Sequence, residues 1–211
     1  MKIFSTLKYK LTELFILFVV MPVSFTVDFP FWIKFVLGLI GFAYVVFVIL
    51  KIEKVSLNNS TKLTTKDFWI KTLLKFFLLV IITVIFVHYF SKNPLFSVLL
   101  NNPKRWLFFV FVYSIFSVFP QELVYRTFFF KRYSNLIERK SLFIFLNATV
   151  FALGHIFFRN TIVIIITFIG GILFAATYGN TKSTILVSVE HAIYGSWLYT
   201  IGMGGMLGFQ E

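Results

Sequence analysis

Four ionisable side chains stand where an apolar chain has least use for them. Glu122 and Arg126 fall inside the apolar run 106–130, and His155 and His191 inside two later runs. A charge at mid-bilayer costs about 2.5–3.5 kcal/mol on insertion scales, so such groups persist when they pair, face a watery cavity or do chemistry. Glu122 and Arg126 are four residues apart, on one face of a helix, which is ion-pair spacing. A carboxylate can take a proton from water, and an imidazole can donate a proton, accept one or bind a metal. Taken singly, the pair is equally a neutralising device and each histidine a hydrogen-bonded packing residue. Taken together, they form a set able to activate water.

The elements that must carry this set follow from composition. The chain has 211 residues, 59% hydrophobic, 21% aromatic and 13% charged. Soluble domains carry about a quarter charged residues. The expectation is an all-α, polytopic transmembrane bundle, one domain over residues 1–211, with its motif-bearing part at 106–202. There is no cysteine, which excludes disulfides, thiolate metal sites and a thiolate nucleophile. The net charge of +12 sits mostly between apolar runs, where it sets topology and gives no cause to expect nucleic acid as a partner. Lys2, Lys8 and Lys10 precede an apolar run as in a signal peptide, but no small-residue cleavage site follows, so the run reads as a retained first helix.

A span needs about 20 apolar residues. Seven stretches qualify: 11–27, 30–50, 68–90, one starting at 106, 141–158, 161–178 and 183–202. Asp28 is placed to cap the second, with Pro30 in its first turn. Lys34, Lys71 and Lys75 lie near span ends, where they can snorkel, and His88 falls at an interface. Twelve lysines and arginines fall on the side of the N-terminus and four on the other, which puts the N-terminus in the cytoplasm. Measured from that side, Glu122 lies at about 18 Å, His155 at about 21 Å and His191 at about 12 Å. Spans four, five and seven thus bring all three to one broad layer. Asn147 shares a helical face with His155 and can bridge helices. Glu190, about 100° around the helix from His191, can support it or pair elsewhere. Gly171, Ala175 and Gly179 recur every four residues as a stripe for close helix approach.

The sequence Gln121-Glu122-x-x-x-Arg126, then Phe151-x-x-x-His155, then Phe168-Ile169-Gly170-Gly171 through Thr181-Lys182-Ser183 to His191, resembles the CAAX-protease and bacteriocin-processing (CPBP, or Abi) family of intramembrane proteases. The resemblance covers residues 118–195. It implies hydrolysis of a peptide or lipidated protein in a bilayer, the plasma (inner) membrane of a bacterium. Glu122, His155 and His191 would be catalytic, and Gln121, Arg126 and Gly195 would support them. Two versions stay open. In one, His155, His191 and Glu122 hold a divalent metal such as zinc. In the other, Glu122 is the base and the histidines position the water or stabilise the oxyanion. The chain departs from the family pattern twice: Gln121 replaces a glutamate, and Gly195 stands where Asn or Asp is expected, with Ser196 and Asn180 as nearby substitutes. Those departures define the alternative, an inactive relative acting as membrane scaffold or bacteriocin self-immunity factor. A small transporter or proton relay ranks third, because no pair of broken helices supports alternating access.

Overall fold

Backbone deprived of water must satisfy its own hydrogen bonds, and an apolar chain does this most simply as helix. In the computed structural model, which describes residues 2–55, 66–90 and 95–204, every regular element among the described residues is helical. The helices are α1 (residues 7–24), α2 (Phe31–Ile52), α3 (Lys66–Phe90), α4 (Ser97–Asn101), α5 (Pro103–Leu136), α6 (Lys140–Leu153), α7 (Thr161–Thr181) and α8 (Thr184–Leu198). A short turn, Ile156–Phe158, extends α6, and a wide turn, Tyr199–Met203, extends α8.

Among the described residues five helices are long and apolar enough to cross a membrane: α2, α3, α5, α6 with its extension, and α7. The stretches expected as the first and seventh spans are helical too, as α1 and α8, but more polar. Helix α1 carries Lys8, Lys10 and Glu13, and α8 carries Glu190, His191, Tyr194 and Trp197. Trp32, Phe35 and Ile40 on α2, and Leu74, Phe77 and Leu78 on α3, are exposed, as lipid-facing side chains are.

Polar caps fix several helix starts. Asn160 Oδ1 accepts from the N–H of Ile162 at 2.9 Å, and Asn102 Oδ1 from that of Arg105 at 3.1 Å with Pro103 in the first turn. Asp28, expected as a cap, is not one: α2 opens after Pro30 without a side-chain cap, and Asp28 lies 3.4 Å from Arg159 at the surface.

The chain divides into two compact units, Met1–Asn59 with Pro120–Thr184 and Ser60–Phe119 with Ile185–Glu211. The division falls within α5, at Pro120.

In the first unit α6 packs on α7 through the small-residue stripe. A Cβ on Gly171 would come within 2.9 Å of the Ala148 Cα, and Ala175 is fully buried. The unit also encloses Arg132, which sequence counts among the loop charges. Its guanidinium donates to Glu13 at 2.7 and 3.2 Å, to Glu53 at 2.8 Å and to the Phe4 carbonyl at 2.6 Å. Tyr133 and Tyr44 donate to Glu13 as well, and Lys10 donates to the Arg132 carbonyl. Charge that marks a loop in sequence is here a buried tie between α1, the end of α2 and α5.

In the second unit Lys75 does not snorkel. Its Nζ donates to Glu190 Oε1 at 2.5 Å, on a carboxylate with no solvent exposure. Lys71, one turn earlier, stays at the surface with Asp67 at 2.8 Å. Tyr194 Oη lies 2.9 Å from Glu190 Oε1 and 3.0 Å from the Thr72 carbonyl, and Trp197 Nε1 donates to Thr83 Oγ1 at 2.9 Å. These bonds fix the rotation of α8 on α3, and with it the direction of His191.

Candidate functional site

The helix carrying Glu122 is not a regular one. Pro120 has no N–H to give to the carbonyl four residues back, and its ring crowds that carbonyl. Wide π turns flank the proline and its neighbours, at Tyr113–Val118 and at Leu123–Phe128. Insertions of this kind recur at functional sites because they redirect side chains out of helical register.

Between these turns Glu122 is fully buried, and so is Arg126. Arg126 Nε lies 3.2 Å from Glu122 Oε2, the ion pair expected from their spacing. Arg126 Nη1 donates to Asn147 Oδ1 at 2.5 Å, and Asn147 Nδ2 donates to the Tyr125 carbonyl at 2.6 Å. Asn147 is therefore the polar bridge from α6 to α5. The guanidinium carbon lies 4.7 Å from the centre of the Phe151 ring, a cation–π contact.

Phe151 also holds His155. Their rings meet edge to face at 4.9 Å, and His155 Nδ1 lies 2.9 Å from the Phe151 carbonyl. A carbonyl oxygen only accepts, so this contact puts a proton on Nδ1, and in the neutral imidazole leaves the lone pair on Nε2. The Phe-x-x-x-His spacing thereby gains a physical reason: one residue grips the guanidinium with its ring and sets the imidazole tautomer with its carbonyl. His155 is not inside the helix as expected. The α-helix ends at Leu153, and His155 sits in the following turn, half-buried, at φ −107° and ψ 5°. That bridge region is sparsely populated, and many active-site residues occupy it. Gly154 lets the turn close, since a Cβ there would collide with the Tyr125 hydroxyl.

His191 belongs to the second unit, on α8, and is buried. Glu190 beside it pairs with Lys75, the second of the two roles open to it. Gly195, one turn along, is filled from outside: a Cβ built on it would collide with the Tyr113 hydroxyl. The Tyr113 ring meets the His191 ring edge to face at 6.1 Å. Tyr113 has no signal in sequence, being one more aromatic in an aromatic-rich run. Ser196 lines a crevice with Tyr113, and Asn180 lies in the first unit.

The first unit therefore joins Glu122, Arg126, Asn147, Phe151 and His155 through direct contacts, with Gln121 half-buried beside Glu122. The second holds His191, Gly195 and Tyr113. Within either unit, among the described residues, no three His, Asp or Glu side chains gather as a metal site.

Residues 103–208 match the family described as type II CAAX prenyl endopeptidase Rce1-like. No curated protein and no solved structure matches the chain.

Proposed function

The chain belongs to the Rce1-like family of type II CAAX prenyl endopeptidases, and from that premise we propose that it hydrolyses a peptide bond near the C-terminus of a prenylated peptide or protein, with Glu122 as general base. Its family is one of proteases, and its apolar helices make it an integral membrane protein. The observation that carries the proposal is the buried pair of Glu122 and Arg126 tied through Phe151 to His155.

In this reading Glu122 takes a proton from the attacking water. His155, with its lone pair on Nε2, orients that water or, once protonated, donates to the developing oxyanion. Arg126 is a fixed cation that steadies the carboxylate, and Asn147 holds the guanidinium in place. His191 enters as the second imidazole on the ground of its motif. The N-terminus lies in the cytoplasm on the charge count, in the inner membrane of a bacterium.

A divalent metal fits part of the set. His155 presents a lone pair with its other nitrogen bonded to a carbonyl, as metal-binding histidines do. Glu122 does not fit a ligand role, because a guanidinium already stands 3.2 Å from its oxygen and would face the metal as a second cation. The metal-free version is therefore the one proposed, with no step routed through a metal.

The test is cleavage of a farnesylated reporter peptide ending in a CAAX sequence by the protein in vesicles. Wild type cleaves it. Glu122→Gln, which keeps shape and loses the base, falls on the order of 10²–10⁴-fold, and His155→Ala falls comparably. Full activity in Glu122→Gln would remove the base role from this residue. An inert wild type that gains activity on Gln121→Glu would replace the proposal with the scaffold reading.

A further inference from the structure

We propose that Tyr113 is the positioning residue for His191, its hydroxyl occupying the place of the side chain that Gly195 lacks. The inference rests on the hydrolase reading above for its activity test, and on the second unit alone for its geometry.

Gly195 follows His191 by one helical turn, so the two share a face of α8. A Cβ on Gly195 would strike the Tyr113 hydroxyl and come within 2.6 Å of Cζ and 2.7 Å of Cε1. The phenol tip therefore lies directly on the α8 backbone, where any larger residue would put its own side chain. The same ring stands edge to face with the His191 imidazole, the planes 82° apart. One aromatic side chain thus reaches both points of the turn, packing on the imidazole and placing a polar atom at residue 195.

The surroundings favour a polar role for that atom. Phe109, Val110, Tyr113, Ser196 and Tyr199 line a crevice with no room for water. The hydroxyl itself stands against the buried Gly195, and on that side, away from solvent, a polar group interacts more strongly than in water. Packing alone would be served by phenylalanine, of which the chain has 31. Tyr113 also opens the wide turn Tyr113–Val118, where α5 departs from regular helical register. The bonds of Glu190 and Tyr194 to α3 set the rotation of α8, and Tyr113 sets the imidazole on it.

The experiment uses the full chain in detergent and in vesicles, with the farnesylated reporter peptide as probe. Tyr113→Phe keeps the ring and removes the hydroxyl. We expect kcat to fall on the order of ten- to a hundredfold at unchanged KM. Gly195→Asn collides with the phenol and loses activity. Tyr113→Ala loses it as well. The double variant Tyr113→Ala with Gly195→Asn clears the space and restores a short polar side chain, so it is more active than either single variant. A second readout needs no activity. The protein has three histidines, and labelled-histidine NMR of Tyr113→Phe shifts and broadens the His191 ring resonance while those of His155 and His88 stay put. Wild-type kcat together with an unmoved His191 resonance in Tyr113→Phe would overturn the proposal. If no form of the protein cleaves the reporter, the hydrolase reading fails alone. The His191 resonance then decides the role of Tyr113, in favour if it moves and against if it does not.

Discussion

Arg126 and Arg132 stand six residues apart on one helix, at 0% and 1% exposure, and opposite kinds of partner hold them. Arg132 meets two carboxylates and a carbonyl, with two tyrosine hydroxyls completing the shell of Glu13. Arg126 meets one carboxylate, an amide oxygen and the faces of two aromatic rings. The first cluster draws on residues from three segments and joins them. The second draws on α5, α6 and, through Phe174, α7, and ends at a histidine in a turn. Burial and pairing are common to both, so neither marks a catalytic charge. What separates them is whether the network closes on itself, as around Arg132, or leads to a group whose chemistry hydrolysis can use, as from Arg126 through Phe151 to His155.

Replacing Arg132 with Met should give the largest change. It leaves Glu13 and Glu53 without their guanidinium, and breaking a buried pair from one side costs about 3–5 kcal/mol. The loss would appear as a lower melting temperature in detergent, with no specific effect on turnover of the protein that stays folded. An unchanged melting temperature would erase the contrast between the two arginines. Asn147→Leu should cost less, about 1–3 kcal/mol for the hydrogen bonds it removes from Arg126 and the Tyr125 carbonyl. Its mark is different: reporter cleavage falls more steeply than stability, because the guanidinium beside Glu122 loses its anchor. Equal losses in both would make the Arg126 cluster a second structural tie. Glu53→Gln is the mildest, because Glu53 lies at the rim and an amide still accepts from Arg132. We expect a shift of about 0.2–1 kcal/mol and full cleavage.

The same contrast explains what sequence could reveal. Glu122 and Arg126 were readable as a pair because helical spacing alone brings them together. Asn147 was readable for the same reason, eight residues from His155 on one face. Arg132 was not, since its carboxylates lie 119 and 79 residues away and its neighbours Lys131 and Arg139 are ordinary exposed charges. Lys71 and Lys75 look alike in sequence, yet one is solvated and the other, half-buried, pairs with the buried Glu190. Only the packing of α8 distinguishes them. The helix end before His155 was hidden because apolar residues continue through Ile156–Phe158, with Gly154 the one local mark of a break. Apolar run length predicted helices throughout. Among the described residues five helices are apolar enough to span, and the other two expected stretches, α1 and α8, bury polar groups against protein.

The enclosure of Arg132 also bears on how the chain is made. Glu13 is synthesised 119 residues before the guanidinium that meets it, which at about 5–20 residues per second is a delay of about 6 to 24 s. Through that interval Glu13 lacks the guanidinium that holds it in the folded protein. Of the groups that hold Glu13, only Tyr44 is made early, so α1 is tied down fully only once Arg132 and Tyr133 follow.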